Sequence, residues 1–459
     1  MIDVQNYIGG KHVSLNSTID DVSPLDDSII AKIPRTISVD DVVLCASSAQ
    51  PSWGKLNITE RADWLDKIAD ALEERIETIA ELESMDTGKP YDVARNVDTA
   101  RSVHNFRFFA GFGRNLPKEI YEMEDATNYV IRKPIGVVGL ISPWNLPLYL
   151  LTWKIAPALL MGNAVIAKPS EITPLTAHYL GQVLDEIGFP KGVVNIVHGY
   201  GPEIGQAIVE HPDIKAISFT GGTETGRIVA KTAAPMFKKL SLELGGKNAT
   251  IVLDDANLDK AIPGITRAGF LNSGQICLCG SRIFVDESIY DEFLPLFLEE
   301  VSKLEIGPVI SKEHRANILS YIELAKQEGG EIIAGGKIPS KPGAWIEPTV
   351  ISGLSHLSKT ATEEIFGPVV TIHPFSTDND AIEMANCTEY GLAGSVWSKT
   401  RGRDVAERID SGMIWVNTWL HRDLRVPFGG VKNSGMGREG GMWSLSFFSE
   451  AVNICVMEP

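Results

Sequence analysis

Short β-branched runs separated by helical stretches constrain the fold of this 459-residue chain more than any other feature. Ile135-Gly-Val-Val-Gly-Leu-Ile141, Ala164-Val-Ile-Ala167, Val193-Val-Asn-Ile-Val197 and Ala216-Ile-Ser-Phe219 read as strands. The stretches from Pro174 to Ile187 and from Pro202 to Glu210 read as the helices between them. Strand and helix alternating at this spacing form βαβ units on a parallel sheet. Such sheets bind ligands at the carboxyl ends of their strands.

A second α/β pattern follows Gly246, with Thr250-Ile-Val-Leu253, Ser281-Arg-Ile-Phe-Val285, a helix from Ser288 to Lys303, a segment from Ala381 to Cys387, and Met413-Ile-Trp-Val416. Near the start, Leu65, Ile68, Ala69, Leu72, Ile76 and Ile79 recur at helical spacing. They predict one amphipathic helix from Thr59 to about Glu83, ending near Gly88-Lys-Pro90, with its acidic face in solvent. No repeat or low-complexity linker divides the chain, so domain boundaries rest on the order of motifs.

The formal charge of −17 argues against a nucleic-acid surface and against an anionic membrane. No apolar run reaches the roughly 18 residues that a membrane span needs. The N-terminal segment lacks the features of a secretory signal or transit peptide, so a cytoplasmic location is expected. The cysteines (Cys45, Cys277, Cys279, Cys387, Cys455) are odd in number and sparse, which implies no disulfide framework. Cys277-x-Cys279 has no matching second pair and no histidine at ligand spacing, so no metal is expected.

Two dense blocks carry chemistry. Phe270-Leu-Asn-Ser-Gly-Gln-Ile-Cys277-Leu-Cys279-Gly-Ser-Arg282 offers a nucleophile, and Leu242-Glu243-Leu-Gly-Gly-Lys247 a general base. The strict GxGxxG fingerprint is absent. Looser glycine clusters follow two strands, with Gly201 and Gly205 in one and Gly221, Gly222 and Gly226 in the other. Glycine there lets backbone N–H groups and a helix N-terminus approach a phosphate. Lys168 and Glu171 end a neighbouring strand, where a carboxylate on the ribose hydroxyls favours NAD over NADP.

Together the blocks resemble the aldehyde dehydrogenase superfamily over nearly the whole chain. The residues carrying the likeness are Ser142-Pro-Trp-Asn145, Lys168-Pro-Ser-Glu171, Phe219-Thr-Gly221, Glu243-Leu-Gly-Gly-Lys247, Gly274-Gln-Ile-Cys277, Glu363-Glu364-Ile-Phe366-Gly-Pro and Pro427-Phe-Gly-Gly430. The resemblance implies an α/β fold with a Rossmann-type NAD-binding domain (1–113 and 134–245) and an α/β catalytic domain (246–433). It also implies a β oligomerisation arm (114–133 and 446–459), building a homodimer or homotetramer.

By the same resemblance Cys277 attacks the aldehyde, while Asn145 and the Cys277 backbone N–H stabilise the oxyanion. Hydride leaves to NAD, and Glu243 activates water against the thioester, giving a free acid rather than a coenzyme A ester. The expected cofactor set is Ile141, Ser142, Trp144, Lys168, Glu171, Gly201, Gly205, Phe219, Gly221, Gly222, Leu244, Glu364 and Phe366. Cys279 is expected to be a packed thiol.

The stretches from Arg101 to Ala110 and from Leu140 to Pro157, with Ile276–Cys279 and Trp419–Arg425, are similar to the branch oxidising 2-aminomuconic and 2-hydroxymuconic semialdehydes. These small-molecule substrates carry a carboxylate far from the aldehyde. Arg101 and Arg422 are the implied clamp, with Phe428 on the substrate and Arg107 and Arg425 in reserve. Alternatives are an aliphatic acid semialdehyde, betaine aldehyde or an aromatic aldehyde; a cysteine hydrolase or a silent binding protein are rivals of another class. Two departures stand out. Gly222 replaces a serine common in relatives, and Lys303-Leu-Glu-Ile-Gly-Pro308 is about a dozen residues short, which suggests a trimmed surface loop.

Overall fold

Five parallel strands at the middle of an eight-stranded sheet realise the alternation seen in the sequence. They are Lys239–Glu243, Ile214–Thr220, Val137–Ile141, Ala164–Lys168 and Val194–Ile196, in that spatial order. Every residue of Val137–Ile141 and of Ala164–Lys168 is buried, which explains their unbroken apolar runs. Val138, Leu140, Val165 and Ala167 pack on one face with helices Pro147–Leu160 and Leu175–Glu186. Val137, Ile141, Ala164 and Ile166 pack on the other, with helices Asp40–Lys55, Gln206–Glu210 and Thr223–Ala233. This is strand alternation with both faces covered. Truncating Leu140 or Ile166 to alanine costs about 2–5 kcal/mol.

The computed structural model describes residues 1–457. Its second large sheet has seven strands, ordered Glu331–Ala334, Thr349–Ser352, Val369–Phe375, Arg282–Asp286, Ala249–Val252, Ala393–Trp397 and Met413–Val416. All pairings in it are parallel except that of the outermost strand, Glu331–Ala334. The short strand Gly435–Met436 returns to the first sheet and pairs antiparallel with Lys239–Glu243. A third sheet sets Ser449–Met457 beside Ala126–Pro134 and Glu119–Glu122. It falls within the segments expected to form an arm; the last two residues of 446–459 lie outside the described residues.

One expectation needs correcting. The single helix foreseen from Thr59 to Glu83 is two helices, Ile58–Glu73 and Ile76–Thr87. The break at Arg75 (φ −115°, ψ 18°) contains neither Gly nor Pro, and the apolar period runs straight across it. Arg75 is held there by the Ala71 carbonyl at 2.9 Å and by Glu186 at 2.8 Å. Asn57 caps the first helix through a capping box with Glu60, and Gly88 closes the second in the left-handed region at φ 73°. Among the described residues no helix is long and apolar enough to cross a membrane.

Candidate active site

The carboxyl ends of the parallel strands bring the predicted residues together. Ile141 pairs with Lys168 on one side and Phe219 on the other, and Thr220 pairs with Glu243. Beyond these ends lies a cavity of about 250 Å³ whose wall includes Cys277, Asn145, Gly221, Leu244, Glu364 and Phe366. This is where an open α/β sheet binds its ligand.

The Cys277 loop is built by an unusual backbone. Asn272, Ser273 and Gly274 adopt φ of 53°, 56° and 71° in succession. At Gly274 a Cβ would lie 2.1 Å from the Gly367 carbonyl oxygen, so glycine is required. Asn248 Nδ2 donates to the carbonyls of Cys277 (2.7 Å) and Cys279 (2.9 Å), fixing the loop from the second sheet. Asn145 Nδ2 donates to the Gln275 carbonyl at 2.9 Å, which ties it to the same loop. Burial, then the nearby Glu364 and Glu243 carboxyls, push the Cys277 thiol well up, while Arg422 opposes them. Cys279 is buried, with Sγ 4.0 Å from the Leu271 carbonyl, and packs as an ordinary thiol.

Glu243 ends its strand with both carboxyl oxygens buried and free of any protein hydrogen bond. Burial and then Glu439 raise its carboxyl well above the usual range, against the pull of Lys154, Arg438 and Arg422. Lys154 itself donates to Glu439 (2.8 Å) and to Ser218 (2.9 Å). A carboxyl raised in this way is a stronger base when ionised than an exposed one.

The remaining polar groups fit a dinucleotide. Lys168 Nζ and Glu171 Oε2 pair at 2.6 Å, and Glu171 Oε1 accepts from Gly201 N at 3.2 Å. Burial opposes the charge on Glu171, but Lys168 and this N–H hold its carboxyl below the usual range, so it is ionised. Gly205 lies against the Lys168 stem, and neither Gly201 nor Gly205 lines the cavity itself. Ser142 N donates to the Lys168 carbonyl at 3.1 Å, and its buried Oγ has no protein partner. Phe219 lies beneath Gly221.

Gly222 lines the cavity and precedes helix Thr223–Ala233 with no side-chain cap, so the first helix N–H groups have no side-chain partner. A Cβ at Gly222 would meet nothing within 4 Å, so its lost serine costs a hydroxyl and no shape. Glu364 Oε1 accepts from Gly246 N at 2.8 Å; burial raises its carboxyl to about 7 although that bond and Lys247 resist.

Phe366, at φ 56°, packs edge-on against Trp144 at 5.3 Å. Sequence reasoning missed His314. Its Nε2 meets the Phe366 carbonyl at 2.7 Å and its ring stands 5.6 Å from Trp144.

At the far end, Arg422 stacks on Phe428 at 4.0 Å and on Trp153 at 5.4 Å, and its Nη1 donates to Tyr149 Oη at 3.0 Å. Arg101 faces the Tyr149 ring at 5.6 Å. Tyr149 and Phe428 belong to the apolar cluster that packs against Cys277. Among the described residues neither Arg101 nor Arg422 forms a salt bridge. The reserves are committed elsewhere: Arg107 pairs with Asp70 at 2.8 Å and with Glu73, and Arg425 binds Asp423 at 2.9 Å.

The shortened segment is more than surface. Ser273 Oγ donates to the Gly307 carbonyl at 2.7 Å, so the segment braces the cysteine loop directly, and just beyond it Ile310 N donates to Gln275 Oε1 at 2.8 Å. No cluster of metal-ligating side chains exists among the described residues.

Residues 12–454 match the aldehyde dehydrogenase family. The chain is 45% identical to a 2-aminomuconic 6-semialdehyde dehydrogenase of a Pseudomonas species, covering 99% of this chain and 98% of that one. It is equally 45% identical to the 2-aminomuconic semialdehyde dehydrogenase of Homo sapiens, with the same coverage. Among solved structures, the NAD+ complex of an aldehyde dehydrogenase from Bacillus cereus superposes with a TM-score of 0.97 at 37% identity, covering 99% of this chain and 96% of that one. Cys277, Glu243 and the cavity at the strand ends thus stand on a matching fold, and the chain belongs to the aldehyde dehydrogenase family.

Proposed function

We propose that this protein oxidises an aldehyde carrying a distant carboxylate to the free acid, with NAD as acceptor, and that 2-aminomuconic or 2-hydroxymuconic semialdehyde represents the substrate class. The observation that carries it is the pair Arg101 and Arg422, both partly sheltered, both without a carboxylate partner, beside the apolar cluster holding Cys277. An unpaired guanidinium is costly to bury and offers a bidentate fork to an incoming carboxylate. The names of the relatives agree with that reading.

The chain's own residues divide the work. Cys277 gives up its thiol proton to solvent, Sγ bonds to the aldehyde carbon as the C=O π bond opens, and the carbonyl oxygen becomes an oxyanion facing the Asn145 amide and the Cys277 N–H. NAD, when bound, supplies the two-electron acceptor for the hydride leaving that carbon. Ile141, Ser142, Lys168, Glu171, Gly201, Gly205, Phe219, Gly221, Gly222 and Leu244 hold its adenosine and phosphates, and Trp144, Glu364 and Phe366 its nicotinamide end. Glu243 then takes a proton from water as the water oxygen attacks the thioester, and the C–S bond breaks to return the thiol. That carboxylate supports hydrolysis over transfer to coenzyme A.

Exposed Tyr121, Ile454 and Val456 on the outer strands of the third sheet support pairing of subunits there, as a dimer or tetramer. Five free cysteines suit a reducing cytoplasm. The test is the growth of NADH absorbance with a carboxylated semialdehyde and a neutral aldehyde of equal length. Arg422→Ala should raise KM steeply for the first alone; equal losses on both would remove the clamp.

A further inference from the structure

We propose that Asn272 is a positioning residue for the oxyanion donor. Its amide stands between two carbonyls, donating to Asn145 O at 3.1 Å and to Gln275 O at 3.3 Å. The second acceptor is the one that Asn145 Nδ2 already binds at 2.9 Å. One buried amide therefore grips Asn145 at both ends, its backbone carbonyl directly and its side chain through a shared partner. With one Nδ2 proton committed to Gln275 O, amide planarity fixes the direction of the other. That second proton is the one a substrate oxyanion needs.

Two further features single out asparagine here. Asn272 sits at φ 53°, in the left-handed region where Asn, Asp and Gly are the tolerated residues. It must also present two N–H bonds on a short side chain. Glycine meets the backbone demand alone. Aspartate meets it too, but turns an acceptor toward two carbonyl oxygens. Gln275 Nε2 returns the grip by donating to Asn272 O at 3.1 Å.

Lys89 donates to the same Asn145 carbonyl at 3.0 Å. Its Nζ also holds Asp98 at 2.8 Å, with Glu83 at 3.8 Å, and all three side chains are buried. Replacing Lys89 strands two buried carboxyls, so it cannot serve as a clean probe. Asn272 can, because glycine keeps its backbone.

An oxyanion donor acts through sub-ångström placement, and losing one outright costs roughly 10²–10³ in rate. This inference rests on Asn145 as that donor. The experiment pairs Asn272→Gly and Asn272→Asp with wild-type and Asn145→Ala backgrounds. It measures the single-turnover NADH burst, KM, and the rate of Cys277 alkylation by iodoacetamide.

The expected burst falls about 10- to 100-fold in Asn272→Gly, within the limit set by a whole donor, and further in Asn272→Asp. KM and alkylation should stay within about two-fold. In the Asn145→Ala background, Asn272→Gly should add less than about three-fold, as expected for groups acting as a unit. An undiminished burst, losses that multiply, or alkylation falling in parallel would overturn the proposal. An Asn145→Ala enzyme with a full burst would overturn the donor reading itself, and is told apart because it needs no change at Asn272.

Discussion

Tyr149 Oη accepts a hydrogen bond from Arg422 Nη1 at 3.0 Å while the Tyr149 ring faces Arg101 at 5.6 Å. Two like charges are thereby held together by a neutral group, and a carboxylate entering the site meets both undiminished. Burial chiefly lowers the Arg101 value from its ordinary level; Tyr149 opposes it, and Arg422 adds a smaller push in the same direction as burial. Tyr149→Phe keeps the ring and removes the acceptor. A hydrogen bond to a charged group contributes about 1.5–3 kcal/mol, so KM for a carboxylated aldehyde should rise on the order of 10-fold. Steady-state kinetics on a neutral aldehyde should be unchanged. A matching rise there would mean that the hydroxyl supports packing alone.

Glu243→Gln separates the two halves of the reaction. Cys277 and Asn145 are untouched, so about one equivalent of NADH should appear in a burst. Steady turnover should then fall roughly 10²–10⁴-fold, the usual contribution of a general base. The pH profile carries the same signature. Because burial and Glu439 raise the Glu243 carboxyl, its ionised fraction grows only as pH climbs past the usual carboxylate range. Wild-type kcat should therefore rise with pH on a limb that the glutamine variant lacks. A burst-free variant with an unchanged limb would transfer the role to another group.

What the sequence made legible follows from which forces act locally. Val137–Ile141 and Ala164–Lys168 declare themselves because a strand buried among neighbours needs an unbroken apolar run. The break at Arg75 was hidden, since neither Gly nor Pro marks it in the sequence. Glu119–Glu122 and Ala126–Pro134 lie in a mostly exposed sheet, and resemblance alone pointed to an arm there. Cys277, Glu243 and Asn145 were visible as motifs. His314 was not, being one of nine scattered histidines whose role comes from the Phe366 carbonyl. Tyr149 left a usable signal: it falls one turn beyond Asn145, just after the Pro147 that starts a helix.

Glu171 bears on the choice of cofactor. Its carboxyl lies below the usual range, and on the proposed reading a 2′-phosphate on the ribose would be repelled by its charge, although Lys168 shields part of it. Glu171→Gln removes the charge and keeps an acceptor for Gly201 N. The ratio of kcat/KM for NADP to that for NAD should climb about 10-fold, corresponding to about 1.4 kcal/mol. A constant ratio would mean that shape at the ribose, rather than charge, excludes NADP.

His198, buried near Lys168, gives the fold an acid-sensitive point. It is buried, neither ring nitrogen has a protein partner, and burial followed by His178 and Lys168 pushes its value down to about 3. The unfolded chain takes up this proton near pH 6.5, while the folded one refuses it until about 3. Unfolded molecules thus bind more protons throughout that window, so the contribution to stability is complete above pH 6.5 and is lost as pH falls. The slope approaches about 1.4 kcal/mol per pH unit, or about 1 kcal/mol between pH 6 and 5. Glu83 and Asp21, both raised to about 7 chiefly by burial, act in the opposite sense, so total stability conceals the histidine. The difference between wild type and His198→Leu isolates it, because the backbone N–H that binds Asn6 at 2.8 Å remains. Urea denaturation at pH 6 and pH 5 should show the variant losing about 1 kcal/mol less than wild type across that interval. Parallel losses would mean that the ring finds a proton-stabilising partner when the pH drops.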